Sequence, residues 1–205
     1  EICVLGAGRT DAGVHAKQMF AHFDFDSHNQ DLIFKLNNFL PNDIVIHDIL
    51  QVKDNANCRF DALSRTYEYH IIQKKNPFNN MAYLIKKKLD IEAMNQSCKY
   101  ILGKQDFTSF SKVKTQTFTN DCNVMFAKWR VLDNQLIFTI KADRFLRNMV
   151  RAVVGTLIDI GVGKIAVDDM RKVIDAKDRS VSGVSVPAHA LFLSSVQYPN
   201  EIYKC

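Results

Sequence analysis

The sequence is poor in the residues that build metal sites and disulfide scaffolds. Its five cysteines, at positions 3, 58, 98, 122 and 205, include no Cys-x-x-Cys pair, and its six histidines include no His-Glu-x-x-His spacing. An odd and scattered set of cysteines argues against a disulfide framework and against a zinc site. We therefore expect no bound metal and a reducing, cytoplasmic environment.

The sequence also lacks a long hydrophobic run. No segment approaches the roughly 20 apolar residues that a membrane span requires, and no signal-peptide pattern precedes the first apolar stretch. Hydrophobic residues make up 47% of the 205 residues and charged residues 24%, which is ordinary for a globular chain of one large or two small domains. The net charge of +5 suits a polyanionic partner.

The most informative stretch is residues 6–16, in which three glycines bracket Arg9, Thr10 and Asp11. Residues 2–5 are apolar and predict a short buried strand, and the partial alternation in 19–25 predicts another. The loop between them presents one carboxylate, Asp11, at the end of a strand. A carboxylate placed this way is a candidate nucleophile or general base.

Known glycine-loop motifs do not fit this stretch. A dinucleotide fingerprint would have a glycine where Asp11 stands, followed by a helix, and a phosphate loop would have Lys and Ser or Thr where Val14 and His15 stand. Spacing alone leaves open a plain turn, in which Asp11 bonds its own backbone.

Two further segments carry candidate site residues. Residues 65–72 predict a strand with Tyr67 and Tyr69 on one face, where packing into the core is the alternative to a functional role. Residues 145–160 predict a helix, and Arg144, Arg147 and Arg151 would share one face of it. A solvated face is the usual role of such arginines, but one lying at a pocket could bind a carboxylate or phosphate bidentately.

The remaining pattern alternates short helices and strands. It predicts helices at 31–40, 90–102 and 167–176 and strands at 44–49, 124–132, 135–142 and 191–198. The polar segment 54–57 is typical of a turn. We take it as the boundary between an N-terminal half, residues 1–56, and a C-terminal half, residues 57–205.

Several motifs resemble, in order, those of the tRNA pseudouridine synthase A family, which modifies the anticodon stem-loop. They are Gly-Arg-Thr-Asp-Ala-Gly-Val-His-Ala (8–16), Arg-Phe-Asp-Ala (59–62), Arg-Thr-Tyr-Glu-Tyr (65–69), Gly-Lys-Gln-Asp-Phe-Thr-Ser-Phe (103–110) and Ala-Asp-Arg-Phe-Leu-Arg-Asn-Met-Val-Arg (142–151). The chain departs from the family pattern at Ala190, which stands where Pro-Ala-x-Gly-Leu has glycine. The strand and helix that precede these motifs in the family have no counterpart before residue 1, so we expect an unpaired sheet edge there.

The resemblance implies a fold and a reaction. The fold would be α+β, the pseudouridine synthase fold, with two α+β halves sharing a largely antiparallel sheet around a central active-site cleft. The reaction would be isomerisation of uridine to pseudouridine at tRNA positions 38–40, with an aspartate nucleophile. It would use no cofactor or metal, and a homodimer would bind the tRNA.

The resemblance also assigns the site residues. Asp11, Tyr67 and Arg151 would be catalytic, with Arg151 pairing with the aspartate. The substrate-binding residues would be Arg9, Thr10, Arg65, Arg144 and Arg147. Further phosphate contacts could come from scattered lysines, namely Lys74, Lys75, Lys86, Lys87, Lys88, Lys112 and Lys114.

Two other functions stay open on the residues alone. A non-catalytic RNA-binding domain would also suit the basic balance. A glycosidase-like hydrolase would normally need two neighbouring carboxylates, and only Asp11 lies in a marked loop.

Overall fold

One largely antiparallel sheet organises the protein. The computed structural model describes residues 2–25, 31–112 and 118–204. In this part of the chain the strands are β1 (Leu5–Gly6), β2 (His15–Ala16), β3 (Ala21–His22), β4 (Ser64–Ile72), β5 (Tyr83–Leu84), β6 (Gly103–Asp106), β7 (Asp121–Leu132), β8 (Gln135–Ala142) and β9 (Leu191–Gln197). The α-helices are α1 (Leu32–Phe39), α2 (Ile91–Cys98), α3 (Met149–Gly161) and α4 (Asp169–Ala176).

The main sheet has seven strands, in the order β2-β9-β4-β8-β7-β6, with β5 beside the end of β4. Only the short contacts β2–β9 and β4–β5 are parallel. The strands β1 and β3 form a separate antiparallel pair. This arrangement confirms the α+β class and the largely antiparallel sheet.

The hairpin β7–β8 follows directly from local sequence. Asp133 and Asn134 connect the strands with φ of 47° and 62°, the left-handed backbone that a two-residue hairpin turn requires and that Asn and Asp tolerate. The turn fixes the register, so that Trp129 pairs with Phe138. Both rings lie on the buried face of the sheet.

The core lies between this face of the sheet and the helices. Tyr69, Phe138 and Ile140 of the sheet and Val153 and Leu157 of α3 are all fully buried. Side chains on successive strand residues alternate between faces, so the other face of the sheet points away from α3. Helix α3 packs in one buried cluster with residues of β4 and β8, the two central strands of the sheet. None of the helices in the described ranges is long and apolar enough to cross a membrane.

The strand predictions for two N-terminal segments are wrong. Residues 2–5 are not a buried strand: only Leu5 enters β1, and Val4 and Leu5 are more than half exposed. Likewise only Ala21 and His22 of segment 19–25 form a strand. Apolar content predicts extended chain, but burial needs a packing partner, and the two-residue pair β1–β3 provides little surface.

Residues 44–49 form no strand either. Their backbone is instead held at Ile46, whose N–H donates to Asn37 Oδ1 at 2.7 Å and whose carbonyl accepts from Asn37 Nδ2 at 2.9 Å. A side-chain amide on α1 thus takes the place of a neighbouring strand.

Helix α3 begins at Met149 rather than at residue 145. Asn148 has φ of 68°, and this left-handed residue separates the preceding turn from the helix. Arg144 therefore lies outside the helix, and the three arginines do not share a helical face. The turn predicted near 54–57 is present at residues 54–55; a division of the chain there stays a prediction.

Candidate active site

The loop that carries Asp11 is a tight turn. The carbonyl of Asp11 accepts the N–H of Val14 at 3.1 Å, and Gly13 has φ of +84°, which glycine adopts without the penalty that a Cβ imposes. A Cβ on Gly13 would lie 3.6 Å from Ala188, an ordinary contact. The backbone angle, and not lack of space, therefore requires this glycine.

Both ends of the loop are hydrogen-bonded to other segments of the chain. The N–H of Ala7, which is almost fully buried, donates to Phe20 O at 2.8 Å, and the N–H of Lys17 donates to Leu193 O at 2.8 Å. His15 pairs with Phe192 of β9 and stacks on its ring, with centroids 5.1 Å apart. The loop is thus anchored to the main sheet on its C-terminal side.

Asp11 forms an ion pair with Arg151 of α3. Arg151 Nη1 lies 2.8 Å from Asp11 Oδ2, and each side chain is only about a fifth exposed, at 22% and 21%. Arg151 Nε donates to the carbonyl of Val186 at 2.7 Å, so the guanidinium is held from two sides. A second cation, Arg147, is 63% exposed, and its Nε lies 3.8 Å from Asp11 Oδ1. The carboxylate is therefore held and oriented by two guanidinium groups.

Tyr67 extends from β4 beside this pair. Its ring packs edge-on against Phe145, with centroids 5.1 Å apart. Burial raises the pKa of the Tyr67 hydroxyl, and the negative charge of Asp11 raises it further, against an opposing effect of Arg65. The phenol is therefore protonated at neutral pH and lies within the electrostatic field of Asp11.

The neighbouring Tyr69 has the structural role that the sequence left open for both tyrosines. Tyr69 is fully buried, and its hydroxyl donates to Pro187 O at 2.9 Å. This bond supports the segment that packs behind Gly13. Ala190, which follows in that segment, is fully buried and is not among the described residues with positive φ, so an alanine fits where the family has glycine.

The Arg65 guanidinium donates hydrogen bonds to backbone carbonyls of the protein. Its Nη2 donates to Ala7 O at 2.9 Å and to Arg59 O at 2.8 Å, and its Nη1 donates to Asp143 O at 3.4 Å. Three separate segments, including the start of the Asp11 loop, are thus joined by one guanidinium. A substrate-binding role for Arg65 stays a prediction, and the contacts favour positioning of the loop.

The other predicted substrate-binding residues are mostly exposed. Arg9 and Thr10 are exposed on the loop directly before Asp11. Arg144 is partly exposed, and its N–H donates to the Asp143 carboxylate at 2.6 Å. Six of the seven lysines proposed for phosphate contacts are exposed, namely Lys74, Lys75, Lys86, Lys87, Lys88 and Lys112. Lys114 lies outside the described residues.

Helix α3 is held by a close backbone contact that the sequence analysis missed. A Cβ on Gly155 would lie 1.9 Å from Val184 O, and a Cβ on Gly183 would lie 2.4 Å from Thr156 N. The Thr156 hydroxyl accepts the N–H of Gly183 at 2.8 Å. The segment therefore lies directly against the helix, which places Val186 for its bond to Arg151. The adjacent Gly155-Thr156 pair in an apolar helix was the available sequence signal.

Metal ligation has no support among the described residues, where no group of three or more His, Cys, Asp or Glu side chains could hold an ion. The chemical groups that the site does offer are a paired carboxylate, a protonated phenol and exposed cations. That set suits nucleophilic or acid–base chemistry on an anionic substrate.

Comparisons with known proteins point to one family. A family model described as tRNA pseudouridine synthase matches residues 97–199. The tRNA pseudouridine synthase A of Parabacteroides distasonis is 52% identical over 204 residues, covering 98% of this chain and 81% of that protein. That of Bacteroides fragilis is 50% identical over 206 residues (98% and 82%). That of Exiguobacterium sibiricum is 36% identical over 199 residues (96% and 80%).

Proposed function

Because this chain belongs to the tRNA pseudouridine synthase family, we propose that it isomerises uridine to pseudouridine in tRNA, with Asp11 as the catalytic carboxylate. The observation that carries the catalytic assignment is the 2.8 Å pair between Asp11 and Arg151, brought together across 140 residues of sequence. The relatives are named as synthases and align with almost the whole chain, which favours an enzyme over a binding domain. We further propose the anticodon stem-loop as the target.

The reaction needs little besides positioning and one carboxylate. The N1–C1′ bond of the uridine breaks, the uracil turns, and C5 bonds to C1′; C5 then loses its proton and N1 gains one. The change is an isomerisation without redox or group transfer, so the carboxylate, phenol and guanidinium groups suffice. Asp11 can attack the sugar or the ring, or promote loss of a ribose proton.

The neighbouring residues support this role of Asp11. Arg151 keeps the carboxylate aimed, since its guanidinium is fixed by both Asp11 and the Val186 carbonyl. Tyr67 stays protonated, because its pKa is raised, and can stack on the uracil and exchange a proton late in the reaction. Arg9 is exposed beside Asp11 and can fill the gap left by a flipped uridine.

The remaining proposals concern tRNA binding, the oligomeric state and the cellular location. The exposed cations around Asp11 would bind phosphates. We propose a homodimer that binds one tRNA across both subunits, by resemblance to the family. We also propose a cytoplasmic location, which suits the unpaired thiols of Cys3, Cys58, Cys98 and Cys122.

The test uses unmodified tRNA labelled with tritium at C5 of uracil. An isomerase releases tritium to water, because C5 gives up its hydrogen when it bonds to C1′, and leaves no free uracil. A hydrolase would release uracil that still carries the label, and a binding domain would release nothing. Either of those two results would contradict the proposed function.

A further inference from the structure

A second polar pocket lies next to the catalytic ion pair. It is open, has a volume of about 450 Å³, and is lined by Lys112, Asn148, Arg179 and Ser185. Two of these four side chains carry a full positive charge, and neither of the others is acidic. We propose that this pocket binds a backbone phosphate of the RNA substrate close to the target uridine, an inference that rests on the proposed function.

Arg179 contributes a positive charge to this pocket. Its guanidinium is partly buried and donates to Ser182 Oγ at 2.7 Å, to Gly183 O at 3.2 Å and to Ser185 Oγ at 2.8 Å. All three acceptors are neutral oxygens, and within the described ranges no acidic side chain forms an ion pair with it. A partly desolvated guanidinium without an anionic partner favours an anion, and its planar fork matches a phosphate.

The Ser185 hydroxyl gives a second indication. Its hydroxyl oxygen accepts both from Asn148 Nδ2 at 2.6 Å and from Arg179 Nη2 at 2.8 Å. A hydroxyl has two acceptor lone pairs and one hydrogen to donate. Since both lone pairs are occupied, the hydrogen is left for an acceptor in the pocket. A phosphate oxygen is such an acceptor.

The pocket also opens at the start of α3. This helix has 13 residues, its cap Asn148 makes no side-chain cap bond, and its first turn contains no acidic residue. The N–H groups and dipole at a helix N-terminus favour anions. The helix therefore adds to the attraction that Arg179 and Lys112 exert on a phosphate.

Two backbone connections place the pocket beside Asp11. Ser185 is followed by Val186, whose carbonyl accepts from Arg151 Nε. The N–H of Lys112 donates to the carbonyl of Arg147 at 3.1 Å, and the side chain of Arg147 reaches Asp11. A nucleotide presented to Asp11 would thus carry its adjoining phosphodiester towards this pocket, which would fix the register of the target base.

The experiment measures tRNA binding as a function of salt for Lys112→Gln and Arg179→Gln. Each lost phosphate contact should reduce the slope of log affinity against log salt by about 0.7–0.9, and binding at low salt should weaken. Lys128→Gln is the matched control. It removes the same charge from an exposed lysine on β7, on the sheet face away from α3, and should keep the slope of the unmodified protein.

The outcomes separate this inference from the proposed function. Slopes for both pocket variants equal to that of Lys128→Gln would overturn the phosphate site, even if the protein still makes pseudouridine. Reduced slopes in a protein that forms no pseudouridine would support the site and contradict the function. If Arg179→Gln fails to fold by circular dichroism, Lys112→Gln decides alone, because its side chain is exposed.

Discussion

Replacing Arg151 with alanine should slow pseudouridine formation far more than replacing Arg147, four residues earlier. Arg151 makes a 2.8 Å contact with Asp11, and both side chains are about four-fifths buried. Removal of one partner of a fully buried pair costs about 3–5 kcal/mol. Since about a fifth of each group remains exposed, we expect a cost of about 2–4 kcal/mol for holding the charged carboxylate in place. Because the proposed transition state needs that carboxylate, the reaction should be slower by roughly 30- to 900-fold.

Arg147→Ala is the matched control for this prediction. It removes the same charged group from a side chain that also faces Asp11, but at 3.8 Å and with 63% exposure. An exposed pair of this kind contributes about 0–1 kcal/mol, so the rate should fall by roughly fivefold at most.

The assay is the single-turnover rate of tritium release at saturating tRNA, which removes any difference in binding between the two variants. Circular dichroism confirms that both fold. Equal small losses, or a larger loss for Arg147→Ala, would refute the argument and return Arg151 to an ordinary structural role.

Three further outcomes follow from the geometry. Tyr67→Phe keeps the ring against Phe145 and removes only the hydroxyl, so tRNA affinity should hold while turnover falls by about 10²–10⁴-fold; full turnover would leave stacking as its role. Gly155→Ala places a Cβ 1.9 Å from Val184 O and should cost about 1–3 kcal/mol, seen as a melting temperature lower by about 2–12 °C. Gly8→Ala, where a Cβ meets no atom within 4 Å, is its control and should melt almost unchanged. Arg65→Lys cannot bridge three carbonyls and should lower turnover and melting temperature together; an unchanged melting temperature with weaker tRNA binding would instead favour direct substrate contact.

The parts of the fold that the sequence predicts correctly are those set by local patterns. Strand β8 has the predicted bounds, because its apolar, strand-favouring residues directly follow a turn of two residues that accept positive φ. Residues 44–49 look like a strand by the same criterion, but Asn37 binds their backbone instead. A local sequence pattern does not show which part of the chain a segment will hydrogen-bond to.

The candidate site also has parts that local sequence predicts and parts that it does not. The glycines of the Asp11 turn were visible in the sequence, as were the arginines before and at the start of α3. Their meeting across 140 residues depends on the sheet and on α3, and only the family resemblance selected Arg151. The left-handed Asn148 was not predicted, so the supposed face of three arginines was wrong. Arg179 and Gly155 were missed because their roles arise from one segment packing on a helix.

The most direct test of the central claim is Asp11→Asn in the tritium-release assay, with a tRNA binding curve at fixed salt beside it. Asparagine keeps the size of the side chain and can form the same turn, but it removes the negative charge and the nucleophilic oxygen. We predict that turnover vanishes while tRNA affinity holds or rises, since one negative charge near the phosphates is gone. Undiminished turnover in the asparagine variant would contradict the assignment of Asp11 as the catalytic carboxylate.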